Sequence, residues 1–342
     1  MIYAVFLISA LLAFTAEKKD CRIYLGLLIF VVSAFVGTRT QNVGVDTSMY
    51  YSILGYLKKD IWSQNVEKGF LIICYCLLKV MDTEQILLLF AFVTNSLILI
   101  RLWSFRDRES FFLMAMLYLL LFYSETANIF RQYVAVAIVF FATYYLEKGK
   151  PVKFLIALLA AMLFHRTALL GVAYLPLYYL IKTERFGKRI WIELAGLAAL
   201  AAAAALVLTY KDGRYLKIYA SGELRIGLLF PARLLVLGVY LYANIRKIGA
   251  FRYQDELVHT RQISVFYTLG IVLSSAGYYQ HSLYRLGLYY ILFETVFIPH
   301  VCTKGHNRRV FSMIYLALVL YMIYNNWATG WSGLANYSSW LA

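Results

Sequence analysis

Four short groups of polar residues interrupt the apolar first half of this sequence, and their side chains are of the types that bind phosphate or move protons. In chain order they contain Arg39 with Asp46, then Glu67, Arg131 and His165. Guanidinium groups bind phosphate oxygens in a bidentate manner, and carboxylates or imidazoles accept protons from hydroxyl groups. A charge near hydrocarbon costs on the order of 3 kcal/mol unless it is paired or reaches water. The accumulation of these groups therefore favours a site for an anionic ligand.

Each of these residues also has a structural interpretation, which stays open at the level of sequence. Arg39 and Arg131 could be helix-end anchors whose charges extend to the membrane surface. The Asp46 carboxylate could cap the helix that follows it. Asn128 could cap the helix that begins near Arg131, and a single histidine such as His165 at the end of an apolar helix is often structural.

The composition determines which elements must position these side chains. The chain is 62% hydrophobic with a mean hydropathy of +0.67, whereas soluble domains are about 45–50% apolar. A hydrocarbon layer of about 30 Å needs helices of about 20 apolar residues. We therefore expect an all-α, polytopic transmembrane helix bundle that forms a single domain over residues 1–342. The net charge of +15 is spread through short loops, which argues against a nucleic-acid partner.

Apolar runs between polar breaks predict thirteen helical segments. They cover residues 2–16, 22–37, 69–81, 85–103, 110–124, 131–147, 152–165, 167–182, 190–210, 228–246, 261–279, 284–302 and 310–325. We assign the loops after the first and fourth of these segments to the cytoplasm and alternate from there. The cytoplasmic loops then carry 20 of the 33 basic residues, as the positive-inside rule requires. This assignment makes 69–81 a short re-entrant or interfacial helix and leaves about twelve crossings. The alternative, with the first two helices inverted, stays open.

Two long loops, 38–68 and 210–229, then lie outside the membrane. In the first loop, a short amphipathic helix after Gly44 is expected to lie on the membrane surface. Its predicted apolar face consists of Met49, Tyr50, Ile53, Leu54 and Leu57. The four cysteines show no ligand spacing, so we expect free thiols, no metal and no cofactor.

The ordered motifs resemble those of the EpsG family of Wzy-type exopolysaccharide and O-antigen repeat-unit polymerases. The matching strings are Arg39-Thr-Gln-Asn-Val-Gly-Val-Asp-Thr-Ser-Met-Tyr50, Glu67-Lys-Gly-Phe70, Asn128-Ile-Phe-Arg-Gln132 with Ala135, and Phe164-His-Arg-Thr-Ala168. The resemblance implies a metal-independent, GT-C-like membrane glycosyltransferase in the bacterial cell (inner) membrane, with its active site facing the periplasm or exterior. It would transfer a glycan from undecaprenyl diphosphate to another lipid-linked repeat unit.

With this resemblance, the candidate residues receive roles. His165 is the expected general base, with Glu67 and Asp46 as reserves, and Arg131, Arg39 and Arg285 are the expected diphosphate ligands. The further binding candidates are Tyr50, Asn128, Gln132, Arg166, Arg214, Arg225 and Arg233.

The expected partners are an undecaprenyl-diphosphate-linked donor and acceptor and membrane lipid, and a chain-length regulator protein is left open. Two other functions also stay open: a flippase or transporter of lipid-linked oligosaccharide, and a ligase or acyltransferase acting on the same glycans. A transporter usually has internal repeats, and none is visible here. An acyltransferase would need a Ser-His or His-Asp arrangement, and none is evident.

Overall fold

Every regular element is helical in the part of the chain that this computed structural model describes. That part comprises residues 2–58, 64–182, 254–275 and 284–304, with short pieces at 233–234, 237–238, 309, 312–313, 316–317, 320, 323–324, 333–334 and 337–341. The predicted segment 190–210, most of 228–246 and most of 310–325 lie outside these residues, as does the loop 210–229. The chain divides into two compact units, Met1–Leu169 with Val319–Ala342 and Leu170–Leu318.

Nine helices are described in the first unit. They are α1 Ile2–Lys19, α2 Arg22–Gly37, α3 Thr47–Leu57, α4 Lys68–Leu77, α5 Thr83–Trp103, α6 Phe111–Leu121, α7 Tyr123–Asn128, α8 Phe130–Glu147 and α9 Pro151–Phe164. The 3-10 helix Arg166–Ala173 crosses the boundary between the units. The second unit contains α10 Tyr174–Lys182, α11 Gln254–Ser275, α12 Tyr284–Ile291 and α13 Glu294–Lys304. The all-α prediction is confirmed for the described residues.

Local sequence signals explain several helix ends. The Ser110 hydroxyl accepts a hydrogen bond from Leu113 N at 3.3 Å and caps α6. Gly149, with a φ of 66°, ends α8, and Pro151 begins α9. These short polar breaks leave the long apolar segments between them free to form helices.

Three predicted helices differ from the structure at a break, a 3-10 turn or a bend. Segment 110–124 breaks at Phe122, after which the buried Tyr123 hydroxyl donates to the Val32 carbonyl of α2. Segment 167–182 begins as the 3-10 helix, where Tyr290 donates to Leu170 O at 2.5 Å. Segment 284–302 bends by 52° between α12 and α13. An apolar pattern records burial, and it carries no information on such tertiary hydrogen bonds.

The short helices α3 and α4 behave differently from the helices around them. At about 1.5 Å per residue, the ten residues of α4 span roughly 15 Å, which is half of the hydrocarbon thickness. This length agrees with the predicted half-helix. The helix α3 also forms, but Ile53, Leu54 and Leu57 are buried in the protein, whereas Met49 is 48% exposed. The expectation that this face lies on the membrane surface is therefore wrong.

One helix in the described part, α5, is long and apolar enough to cross a membrane alone. The bent pair α12–α13 passes the same test if it counts as one span. Shorter apolar helices include α2, α4, α6 and α9. The number of crossings therefore stays a prediction.

Helices α2 and α5 pack closely because Gly37 has no side chain. A Cβ atom at Gly37 would lie 2.5 Å from Leu88 Cδ1 and 2.7 Å from Leu88 Cα, so the neighbouring backbone would have to move. In contrast, a Cβ at Gly26 of the same helix meets nothing within 4 Å. Small residues at such positions let two helices approach each other in membranes.

We expect Gly37→Ala to lower the thermal unfolding midpoint of the purified protein in detergent, through a loss of about 1–3 kcal/mol from overpacking. Gly26→Ala is the matched control and should leave the midpoint unchanged or raise it, because alanine favours a helix. Equal midpoints for the two variants would contradict the close contact between α2 and α5.

Candidate functional site

The motif residues of the first unit gather at one end of its helices, which we call the motif end. Here α2 and α9 terminate and α5 and α8 begin. The antiparallel register of α2 and α5 is visible in the bond from Ser33 Oγ to Ala91 O, at 3.5 Å. The predicted site residues at this end are Arg39, Asp46, Tyr50, Glu67, Asn128, Arg131, Gln132, His165 and Arg166.

The Glu67 carboxylate lies at the centre of this arrangement. It forms an ion pair with Arg131 through Oε2 and Nη1, and Oε1 accepts the backbone N–H of Arg166 at 3.0 Å. The side chains of Glu67 and Arg131 are only 16% and 17% exposed. Glu67 precedes α4 but makes no capping hydrogen bond to that helix. Its carboxylate instead joins the start of α4 to the start of α8 and the end of α9.

The Arg131 guanidinium is incompletely satisfied by the protein. Its Nε is buried and has no hydrogen-bond partner among the described residues. The guanidinium carbon lies 5.7 Å from the centroid of the Phe70 ring, so one side of the cation contacts an aromatic group. A half-buried guanidinium with a spare donor can bind a phosphate oxygen.

His165 ends α9 with an extended backbone at φ −154° and ψ 118°. Its Nδ1 lies 2.6 Å from the Thr167 hydroxyl, which fixes the orientation of the imidazole ring. The side chain is half-buried, and the Arg166 side chain beside it is exposed. The chain therefore presents a guanidinium and an imidazole next to the amide that Glu67 binds.

Arg39 has a different environment from Arg131, because its side chain is 1% exposed and protein atoms bind all three of its nitrogens. Nε donates to Thr47 Oγ1 at 3.0 Å, Nη2 to Ala127 O at 2.8 Å, and Nη1 to Val36 O. Burial lowers the pKa of Arg39 to about 10, which leaves it charged at neutral pH. These bonds connect α2, α3 and α7, so the geometry favours a positioning role for Arg39.

Asn128 does not cap α8, contrary to the interpretation that the sequence left open. It is the last residue of α7; its Oδ1 accepts the Val45 N–H at 2.6 Å, and its Nδ2 donates to Ser124 O at 3.2 Å. The side chain therefore joins the 38–46 loop to α7. Asp46 is half-buried at the start of α3 and makes no capping hydrogen bond.

Two other binding candidates of the motif end have buried side chains. The Tyr50 ring is 5% exposed and its centroid lies 3.9 Å from that of Phe130. Gln132 is 3% exposed on α8. Both side chains are therefore shielded from solvent at the motif end.

The remaining candidates lie in the second unit or outside the described residues. Arg233 is buried there and forms a bidentate ion pair with Glu294, with Nε at 2.9 Å from Oε1 and Nη2 at 2.5 Å from Oε2. Arg285 is half-buried at the start of α12. Arg214 and Arg225 fall outside the described part of the chain.

Sequence reasoning missed two groups that the geometry makes prominent. Glu294 is fully buried at the bend between α12 and α13, and its signal was a lone carboxylate within an apolar segment. Thr47 and Thr167 orient Arg39 and His165, respectively. Their signal was weak, because threonine is common near helix ends in any role.

We expect Glu67→Gln to bind inorganic pyrophosphate about fivefold more tightly than the wild type. The carboxylate competes with an anionic ligand for Arg131, and a partly exposed ion pair is worth up to about 1 kcal/mol. Isothermal titration calorimetry on the detergent-solubilised protein would measure this. Glu147→Gln is the control, because Glu147 pairs with Arg101 at the opposite end of the unit. Equal or weaker binding by Glu67→Gln would contradict the competition.

Comparison with known proteins matches the chain to a family. No curated protein and no solved structure matches the chain. The model of the EpsG family matches residues 22–339, which is nearly the whole sequence and extends far beyond the motifs of the first half. This chain therefore belongs to the EpsG family.

Proposed function

We propose that this protein is a polysaccharide polymerase that acts on lipid-linked glycans at the outer face of the bacterial cell membrane. It transfers a glycan from undecaprenyl diphosphate to a second lipid-linked oligosaccharide repeat unit. Membership of the EpsG family supports this proposal, because the family is associated with glycosyltransferase-like polymerases of exopolysaccharide biosynthesis and with membranes. Both the donor and the acceptor are then partners, together with the surrounding lipid.

The Glu67–Arg131–Arg166 cluster is the observation that carries the proposal. The donor's leaving group is a diphosphate, whose negative charge increases as its bond to the sugar breaks. Arg131 has a buried Nε without a partner among the described residues, and the exposed Arg166 side chain follows the amide that Glu67 binds. Cations held in a partly dry site stabilise such developing charge.

The reaction needs a base for the acceptor hydroxyl. As the acceptor oxygen forms its bond to the anomeric carbon of the donor sugar, the bond from that carbon to the diphosphate breaks, with inversion. The acceptor proton goes to His165, whose Nδ1 is oriented by Thr167. A neutral imidazole is available for this role at neutral pH. Glu67 and Asp46 are the alternative bases, and Glu67 becomes available when a diphosphate replaces it at Arg131.

The surfaces of the first unit are compatible with lipid. Large apolar side chains are exposed at helical spacing on α1, at Leu7, Leu11 and Phe14, and on α2, at Ile23, Leu27 and Phe30. The end opposite to the motif end carries more lysine and arginine residues, which favours its placement in the cytoplasm. This orientation directs the motif end outward, where undecaprenyl-diphosphate-linked units would meet it.

Polymer formation by the reconstituted protein tests the proposal. Wild-type protein in liposomes with a lipid-diphosphate-linked repeat unit, and without nucleotide sugar, should give a ladder of products on a gel. Arg131→Ala should lower the rate by about 10²–10³, the typical cost of removing one charge-stabilising group. Arg108→Ala, at an exposed arginine of the opposite end, is the control and should retain the wild-type rate.

The absence of a ladder from folded wild-type protein with its cognate substrate would sink the proposal. Movement of the labelled lipid-linked unit across the bilayer without extension would instead indicate a flippase. Release of single units onto another acceptor would indicate a ligase.

The role of His165 has its own test. We expect His165→Ala to lower the polymerisation rate by about 10²–10⁴, the usual contribution of a general base. Thr167→Val should give a smaller decrease, because it removes the group that orients the ring and retains the base. A folded His165→Ala protein with the wild-type rate would transfer the base role to Glu67 or Asp46.

A further inference from the structure

We infer that residues 333–334 and 337–341, named together the segment 333–341, form a positioning element for the motif loop 38–46, and that Gly333 and Tyr337 are its principal residues. The catalytic interpretation of this inference rests on the proposed function. The contacts that carry it are independent of that function.

A short antiparallel pairing joins the two segments. Thr40 N donates to Ser338 O at 3.0 Å, and Trp340 N donates to Thr38 O at 2.9 Å. These bonds flank the bridge between Arg39 and Ser339. The loop is therefore held on both sides of the arginine whose guanidinium reaches α7. Since an isolated two-stranded pairing is only marginally stable in water, side chains must add to this one.

Tyr337 provides the strongest side-chain contribution. Its ring stacks on Phe35, with centroids 4.2 Å apart and an interplanar angle of 14°. Its hydroxyl donates to Phe35 O at 2.5 Å and lies 2.9 Å from Thr38 Oγ1. Burial raises the pKa of Tyr337, so the hydroxyl keeps the proton that it donates. The segment is thus anchored on the last turn of α2, directly before the loop.

Two glycines bring the segment against the far side of the loop. Gly44 N donates to Gly333 O at 3.0 Å, and both residues have positive φ angles, of 92° and 71°. A Cβ at Gly333 would lie 3.0 Å from Gly44 Cα and 3.2 Å from Val45 N. The next bond, from Val45 N to Asn128 Oδ1, fixes the loop to α7.

The chain of contacts ends at the site. Gly333 abuts Gly44 and Val45, Val45 binds Asn128, and Arg131 follows Asn128 by three residues at the start of α8. Asp46, a candidate base, is the residue after Val45. The segment 333–341 therefore determines the position of the loop 38–46, which forms one wall of the site, relative to Arg131. Misplacement of a catalytic group by about 1 Å can cost roughly a hundredfold in rate.

The first test compares two glycine substitutions. Gly333→Ala should lower kcat for polymerisation roughly tenfold and change KM less than about threefold, because the misplaced wall affects alignment more than binding. It should also accelerate amide hydrogen exchange in residues 38–46. Gly55→Ala is the matched control, since a Cβ there meets nothing within 4 Å, and both readouts should stay at wild-type values.

The second test asks whether tethering restores function. Tyr337→Ala removes the anchor and should lower kcat to a similar extent. The hydroxyl oxygens of Thr40 and Ser338 lie 2.6 Å apart, so cysteines at these positions are close enough for a disulfide. Adding Thr40→Cys and Ser338→Cys to Tyr337→Ala should recover most of the rate after oxidation with copper phenanthroline and lose it again with dithiothreitol. Tyr337→Ala with Thr40→Cys alone should show no recovery.

The readouts separate this inference from the proposed function. If Gly333→Ala leaves both hydrogen exchange and kcat unchanged, the segment does not position the loop. Faster exchange at an unchanged kcat would also overturn the inference, because the contact would then serve folding alone. If the wild type forms no polymer, the polymerase proposal fails, and faster exchange in Gly333→Ala would still support the structural coupling.

Discussion

Charged side chains near hydrocarbon must find partners, and the ion pairs in the described part of this protein join elements that are distant in sequence. The Glu67 carboxylate holds the start of α4, the start of α8 and the end of α9 together, through Arg131 and the Arg166 amide. A lone charge in this environment would be costly, so the three elements are stabilised together. This contact adds to the packing of the short helix α4, whose Phe70, Leu71 and Cys74 side chains are buried.

The buried arginines described in the first unit differ in how many of their nitrogens the protein satisfies. Arg101 is 1% exposed and donates to Thr143, Ser104 and both oxygens of Glu147, and protein atoms bind every nitrogen of Arg39. Arg131 retains a buried Nε without a partner among the described residues. On the proposed function, Arg131 takes its missing acceptor from a ligand, whereas the saturated guanidinium groups of Arg39 and Arg101 join helices.

The same constraint acts at the opposite end of the first unit and within the second unit. Glu17 of α1 accepts from Ser110 and from Phe112 N, and so fixes the start of α6. In the second unit, Glu294 lies at the bend between α12 and α13, where Arg233 neutralises it. Buried ion pairs contribute little net stability, but removal of one member is costly. Loss of either Arg233 or Glu294 would therefore leave an uncompensated buried charge.

The sequence by itself determined the helical class, most helix positions and the residue types of the motif end, because hydropathy and helix-end signals are local properties. It also carried the family resemblance, which the match over residues 22–339 confirmed. Only the tertiary structure decided that Glu67 binds Arg131, that Arg39 is saturated, and that Tyr337 lies on Phe35. These partners are up to about 300 residues apart in the chain, and nothing local in the sequence encodes which pairs meet. The helix break at Phe122 also came only from the tertiary structure, because the apolar pattern runs through it without interruption.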